Sequence, residues 1–214
     1  MSPVRIYGDQ GYLELAGPTQ ATNTTLIMPS GTGTSGQVIQ TDGSGNLSYT
    51  TPVTSNLTLD TQQDSNTGTS IDFSANIPTG VRRITILLDD VSTNGTSDLL
   101  IQIGDAGGIE TTGYDAFSTY LFQTGSGKTS YTTGYGSDWG STAGERKGAI
   151  TLNNMSGNKW ICTAVHTGKD GVNEGTVQMA GEKTLSDTLT QVRITTVNGT
   201  DTFDGGTINL MYEV

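Results

Sequence analysis

Nucleophilic hydrolysis needs a serine or cysteine held beside a histidine, and this chain of 214 residues offers one histidine, His166, and one cysteine, Cys162. Both lie in the run WICTAVH (160–166), where strand-like alternation puts Trp160, Cys162, Ala164 and His166 on a single face. Cys162 then reads as a small buried residue rather than a reactive thiol, with His166 near the end of the strand. No Gly-x-Ser-x-Gly turn is present to hold a serine in the open. Glu110, Asp115, Asp138 and Glu145 supply carboxylates of the kind a glycosidase pairs across a cleft, but an acidic chain offers such pairs without any cleft. The expectation is a protein with no catalytic residues.

Phosphate and metal chemistry find little more. The run TGSGKTS (124–130) imitates the end of a phosphate-binding loop, yet Phe122 stands where that loop needs its first glycine, and no strand-to-helix pattern surrounds it. Oxygen donors gather on the turns DGSGN (42–46) and KDGVNE (169–174), but neither reaches the roughly six ligands that calcium takes. A single cysteine rules out an intrachain disulfide, and no Cys/His cluster exists to hold zinc. No metal and no cofactor are expected.

Charge narrows the partners. Lysine and arginine number 10 against 21 aspartate and glutamate, a net charge of −11, which repels a phosphate backbone and argues against nucleic acid. No apolar run reaches membrane-spanning length and the N-terminus lacks a leader pattern, so neither membrane insertion nor a secretory signal is expected. Aromatic residues gather at Tyr114, Phe117, Tyr120, Tyr131, Tyr135 and Trp139 among Gly, Ser and Asp. Exposed, such residues suit stacking on sugars or a protein interface; otherwise they fill a core. With 124–148 read as exposed loops, Tyr114, Tyr131, Tyr135 and Trp139 are the candidate recognition or interface residues.

The elements that must position these residues are strands. The chain holds 38 Thr and 30 Gly, which suit strands and tight turns and disfavour helices. Strand patterns fall near 57–61, 69–73, 82–91, 97–104, 118–123, 148–153, 159–167, 175–179, 190–197 and 206–213. Frequent turns and the lack of alternating helices predict an all-β fold, an antiparallel β-sandwich of jelly-roll-like kind over residues 53–214. Two segments, DAFSTYLFQ (115–123) and EKTLSDTLT (182–190), also carry apolar residues four apart, but their Thr-rich settings favour strand or loop over helix. VRRIT (81–85) and VRIT (192–195) each run into an Asn-Gly turn, at 94–95 and 198–199, which predicts two similar hairpins.

Residues 1–52 read as a separate, extended N-terminal β-ribbon or hairpin segment. Its pieces VRIYG, YLELAG, TLIMPS and QVIQTDGSGNLSYTT are joined by Gly, Pro, Ser and Asn, and each is too short to close a core. In YLELA, Leu13 and Leu15 share one side. QVIQTDGSGNLSY (37–49) reads as a hairpin turning at Asp42-Gly43 and Gly45-Asn46, with Val38, Gln40, Leu47 and Tyr49 lining or crossing the ribbon. A two-stranded hairpin is marginal alone. Leu, Ile, Val and Phe total 44 of 214 residues, near the composition at which a chain struggles to bury enough apolar surface by itself. Leu13, Leu15, Leu26, Val38, Leu47 and Tyr49 are therefore the candidate assembly residues, and another copy is the expected partner.

The run GQVIQTDGSGNLSY, preceded by GYLEL and TLIMPS, resembles modules of tail-fibre and related virion proteins of tailed bacteriophages. The runs GVRRITILLDDVSTNGTSDLLIQIGDAGGIETTGY and DTLTQVRITTVNGTDTFDGGTINLMYE resemble a β-rich domain of marine phage structural proteins. The resemblance implies a virion location and a non-enzymatic structural role, that of a short homotrimeric fibre or spike assembling through residues 1–52. A capsid (head) decoration protein and a carbohydrate-binding host-recognition module are the alternatives it leaves open. Other virion proteins, of tail or capsid, are the further partners it implies, with a host surface glycan as partner in the third role. No family active site comes with it.

Overall fold

A computed structural model of the protein describes residues 4–8, 11–15, 25–52, 56–123, 125–138, 144–170 and 173–214. The described residues form strands, turns and bends with no helix. The chain divides into two compact units, Met1–Thr54 and Ser55–Val214.

In the first unit, β1 (Val4–Gly8) and β2 (Gly11–Leu15) make an antiparallel hairpin in which Leu13 lies opposite Ile6 and Leu15 opposite Val4. A second hairpin joins β3 (Val38–Thr41) to β4 (Leu47–Thr50), and Ile27 adds a single parallel bridge to Asn46.

The second unit is an antiparallel β-sandwich. Its strands are β5 (Leu57–Leu59), β6 (Gln63–Asp64), β7 (Ser70–Phe73), β8 (Arg83–Thr93), β9 (Leu99–Asp105), β10 (Gly108–Ile109), β11 (Tyr114–Phe122), β12 (Gly125–Tyr131), β13 (Tyr135–Ser137), β14 (Gly144–Ser156), β15 (Lys159–Asp170), β16 (Asn173–Thr184), β17 (Gln191–Thr196) and β18 (Phe203–Glu213). Nine of them form a large sheet in the order β12-β11-β16-β15-β14-β8-β18-β5, with β6 also on β18. Five form a small sheet, β10-β9-β17-β7, with β13 also on β9. Each of the ten expected strands is present. The two segments with helical spacing are strand β11 and, for 182–190, the end of β16 followed by a loop that buries Leu185 and Leu189.

Period-2 alternation sets which side chains enter the core. Ile71, Phe73, Ile101, Ile103, Val192 and Ile194 of the small sheet face a matching layer that includes Ile84, Ile86, Ile150, Leu152, Ile208 and Leu210 of the large one. In β8 the alternation runs through Ile84, Ile86 and Leu88, slips at Asp89-Asp90, and resumes on Val91 and Thr93. The slip is a bulge that both neighbours share: β14 shifts register between Arg146 and Gly148, and β18 between Gly205 and Thr207. Asp90 takes a left-handed backbone, φ 54°. A side chain on Gly206, itself at φ +90°, would come within 2.4 Å of the Asp90 carbonyl, so this level of the sheet requires glycine.

Strand β9 is buried along its whole length because its outer face is covered as well. Leu100 lies beneath Gly134, where an added Cβ would sit 2.6 Å from its side chain, and Gln102 Nε2 donates to the Thr133 carbonyl at 2.9 Å. The covering residues belong to 124–148, which the sequence predicts as exposed loops. That region instead supplies β12, β13 and the start of β14. Its glycines allow close strand approach: a Cβ on Gly136 would lie 2.3 Å from the Tyr131 ring.

The two Asn-Gly turns are not hairpins either. Asn94-Gly95 carries the chain from β8 in the large sheet to β9 in the small one, and Asn198-Gly199 carries it back from β17 to β18. Asp201 joins them, accepting the Ser97 amide at 2.9 Å and Asn198 Nδ2 at 2.6 Å, while Asn94 Oδ1 accepts the Thr202 amide at 2.9 Å.

Truncating a central β9 side chain should show how much this packing contributes. Ile101→Ala, at a fully buried position, is expected to lower the unfolding free energy by about 2–5 kcal/mol, whereas Leu121→Ala, 65% exposed on β11, should change it by about 0.5 kcal/mol or less. Urea denaturation of the two variants checks both values.

Candidate assembly surface and buried polar cluster

The turn that closes the second hairpin is organised by Asp42. Its Oδ1 accepts the amides of Ser44 at 2.7 Å and Asn46 at 3.0 Å, and its Oδ2 accepts Asn46 Nδ2 at 2.6 Å. The Asn46 side chain, followed by the Ser44 amide, holds this carboxyl below its usual range. These bonds use the turn's oxygen donors for the turn itself. The Tyr49 ring lies on Gly33, where a Cβ would approach it to 2.9 Å.

Register divides the predicted assembly residues. Ile39 lies opposite Tyr49 and Thr41 opposite Leu47 on one face, while Val38 lies opposite Thr50 on the other. Val38 therefore does not join Leu47 and Tyr49, and Ile39, which parity would have revealed, takes its place. Leu47 and Tyr49 are half-buried, whereas Leu26, Ile27, Met28, Val38 and Ile39 are 48–63% exposed. Among the described residues 25–52 none is buried. Leu13 and Leu15 lie at the register positions given above.

The recognition residues end elsewhere. Tyr114, Tyr131 and Tyr135 are core residues, at most 5% exposed, which removes them from an exposed recognition loop; Trp139 lies outside the described residues. They turn inward because β11, β12 and β13 are strands whose alternation directs them there. The Tyr114 hydroxyl accepts the Ile103 amide at 2.8 Å and lies 3.0 Å from the Glu110 carbonyl, so a large-sheet side chain is bonded to the small sheet. Its ring meets Tyr135 edge-on at 5.1 Å, and the Lys183 ammonium, paired with Glu110, lies 5.4 Å from its centroid. The Tyr135 hydroxyl donates to the Trp160 carbonyl at 3.2 Å, and that of Tyr131 to Asp98 Oδ2 at 2.8 Å. Burial raises all three phenol pKa values.

Near Tyr131 a buried polar cluster brings together residues distant in sequence. Ser137 Oγ lies 2.8 Å from His166 Nε2. Ser137 is fully buried and His166 is 3% exposed, and among the described residues no carboxylate hydrogen-bonds the other ring nitrogen as the orienting acid of a nucleophilic triad would. Arg146, fully buried, reaches the Gly144 carbonyl with Nη1 at 3.3 Å, and burial draws its pKa down to about 10 against the pull of Asp98 and Asp204. Burial, reinforced by the Arg146 charge, draws His166 from 6.5 to about 4. Asp138 accepts Thr129 Oγ1 at 2.7 Å and is held above its ordinary range by burial and by the Asp98 carboxylate. Cys162 is wholly buried and its thiol is pushed far up, away from any thiolate at neutral pH.

Of the other motifs, TGSGKTS forms edge strand β12 from Gly125 onward, an extended backbone rather than a phosphate cradle. Among the described residues no three His, Cys, Asp or Glu side chains converge as a metal site. No protein-family model, curated protein or solved structure matches the chain.

The depressed His166 pKa makes stability depend on pH. The unfolded chain takes up a proton near 6.5 and the folded one only near 4, so this contribution is complete above pH 6.5 and is lost as pH falls towards 4. Between pH 7.5 and 4.5 the loss should be about 2.5 kcal/mol. Asp138, with its raised pKa, works in the opposite sense. Urea denaturation of the native chain and of His166→Gln across this range isolates the histidine, and the difference between their slopes should carry that amount.

Proposed function

We propose that the protein is a non-enzymatic structural component of a bacteriophage particle, a short homotrimeric fibre or spike that assembles through its N-terminal segment. The observation that carries the assembly reading is the state of residues 25–52. They hold two short strands and a lone bridge, bury no side chain, and leave five large apolar residues about half exposed or more. A structure of that size with no interior of its own gains its stability from neighbouring surface. Three copies offering the same ribbon would supply that surface with closed symmetry. The phage context is supported by the resemblance of GQVIQTDGSGNLSY and its preceding strands to fibre modules.

A capsid decoration role would use the same segment against a different neighbour. The glycan-binding reading loses three of its four candidate residues, because Tyr114, Tyr131 and Tyr135 are in the core.

Solution mass tests the assembly. The full chain should weigh a multiple of three copies, and both Ile39→Asp and removal of residues 1–52 should abolish the threefold multiple while leaving the sandwich folded. The same number of copies per particle for all three chains would overturn the proposal. Light scattering during gel filtration, with circular dichroism as the folding control, gives the answer.

A further inference from the structure

Among the described residues of the sandwich unit, no layer covers the outward face of the large sheet. Cross-strand register lays out this face in rows. One row runs from Phe117 on β11 through Thr163 on β15 to Thr85 on β8, and the next from Thr119 through Val165 to Leu87. Neither row, over these five strands, contains a charged side chain. Phe117 is 43% exposed and Val165 66%, and a shallow trough of about 600 Å³ runs between β11 and β14. The rows bordering this band carry charge: on one side Asp115 on β11, Glu182 on β16, which pairs with Lys159, and Arg83 on β8, which pairs with Glu213 of the same chain; on the other side Lys147 on β14, which pairs with Asp90.

We propose that this face pairs with the same face of a second copy, about a two-fold axis running parallel to β15. β11 and β8 lie two strands to either side of β15, so this axis sets Asp115 of each copy opposite Arg83 of the other. The same operation sets Phe117 against Thr85 and Thr119 against Leu87, and brings Val165 near its own counterpart. The band covers five strands and about six residues of strand length, a footprint of about 500 Å² per copy. Two such footprints bury about 1,000 Å², the lower bound of a specific interface, so the pairing is weak and belongs to high local concentration. It goes beyond the N-terminal assembly proposed above and uses a separate surface.

The test uses the full chain at high concentration, with Ile39→Asp removing the N-terminal assembly. By sedimentation this variant should be a dimer, and adding Val165→Lys should leave a monomer with an unchanged thermal midpoint, because Val165 is exposed. Asp115→Arg should weaken the dimer about fivefold, and combining it with Arg83→Asp should restore it. Val165→Cys should be joined to its counterpart by a short bismaleimide, whereas Leu59→Cys, at the edge of the same sheet, should not; Cys162 is buried and does not compete. The inference is overturned if Val165→Lys leaves the mass of the Ile39→Asp chain unchanged, or if the two cysteine variants cross-link alike. If Val165→Lys lowers the mass of the otherwise native chain while Ile39→Asp does not, the face contact stands and the N-terminal reading falls.

Discussion

A tyrosine turned into a sandwich brings a hydroxyl that must find a partner, and in this protein those hydroxyls tie the layers together. Tyr114 springs from the large sheet and accepts the amide of Ile103 in the small one. Tyr135 springs from the small sheet and donates to Trp160 in the large one. The two rings meet edge-on, so the bonds that join the sheets in opposite directions share one aromatic contact. A buried hydroxyl left unpaired would cost about 1–3 kcal/mol, as much as or more than the edge-on contact of the rings contributes, which makes the spacing of the sheets at this end a condition of their packing.

The need for such contacts follows from composition. With 44 Leu, Ile, Val and Phe in 214 residues, most of the strong hydrophobes are needed between the sheets, and Tyr114, Tyr131, Tyr135, Tyr212 and Trp160 fill much of the remaining interior. Threonine then takes the outward positions of the long strands, as at Thr85, Thr151 and Thr163. Little is left for residues 25–52, none of which is buried. The same economy concentrates the buried hydrophobes between the two sheets of the sandwich.

The sequence is informative where period-2 alternation is strong. Ile84, Ile86 and Leu88, or Trp160, Cys162 and His166, announce both a strand and its inward face, and all ten strands expected from such runs are present. It is misleading where glycine and serine dilute the pattern. GSGKTSY has the composition of a loop and becomes a strand because β11 offers it a full ladder, a long-range condition invisible in the segment itself. The same reason hides two of the tyrosines: once 125–131 and 135–137 are strands, parity sends Tyr131 and Tyr135 inward. Grouping Val38 with Leu47 and Tyr49 leaves register out of account, and the register places Ile39 and Thr41 on the face of Leu47 and Tyr49 and Val38 on the other.

The Asn-Gly turns show the limit most clearly. Their chemistry is local and correctly marks a reversal, but a reversal can return the chain to its own sheet or pass it to the facing one. What decides here is the shared clasp at Asp201, Asn94, Asn198 and Ser97, residues up to 107 positions apart in the numbering of the chain. By binding the outgoing crossover to the returning one, the clasp couples β8 and β18 in the large sheet to β9 and β17 in the small one. Sequence proximity thus sets the shape of each turn, and contact between the two turns determines which sheet receives the chain.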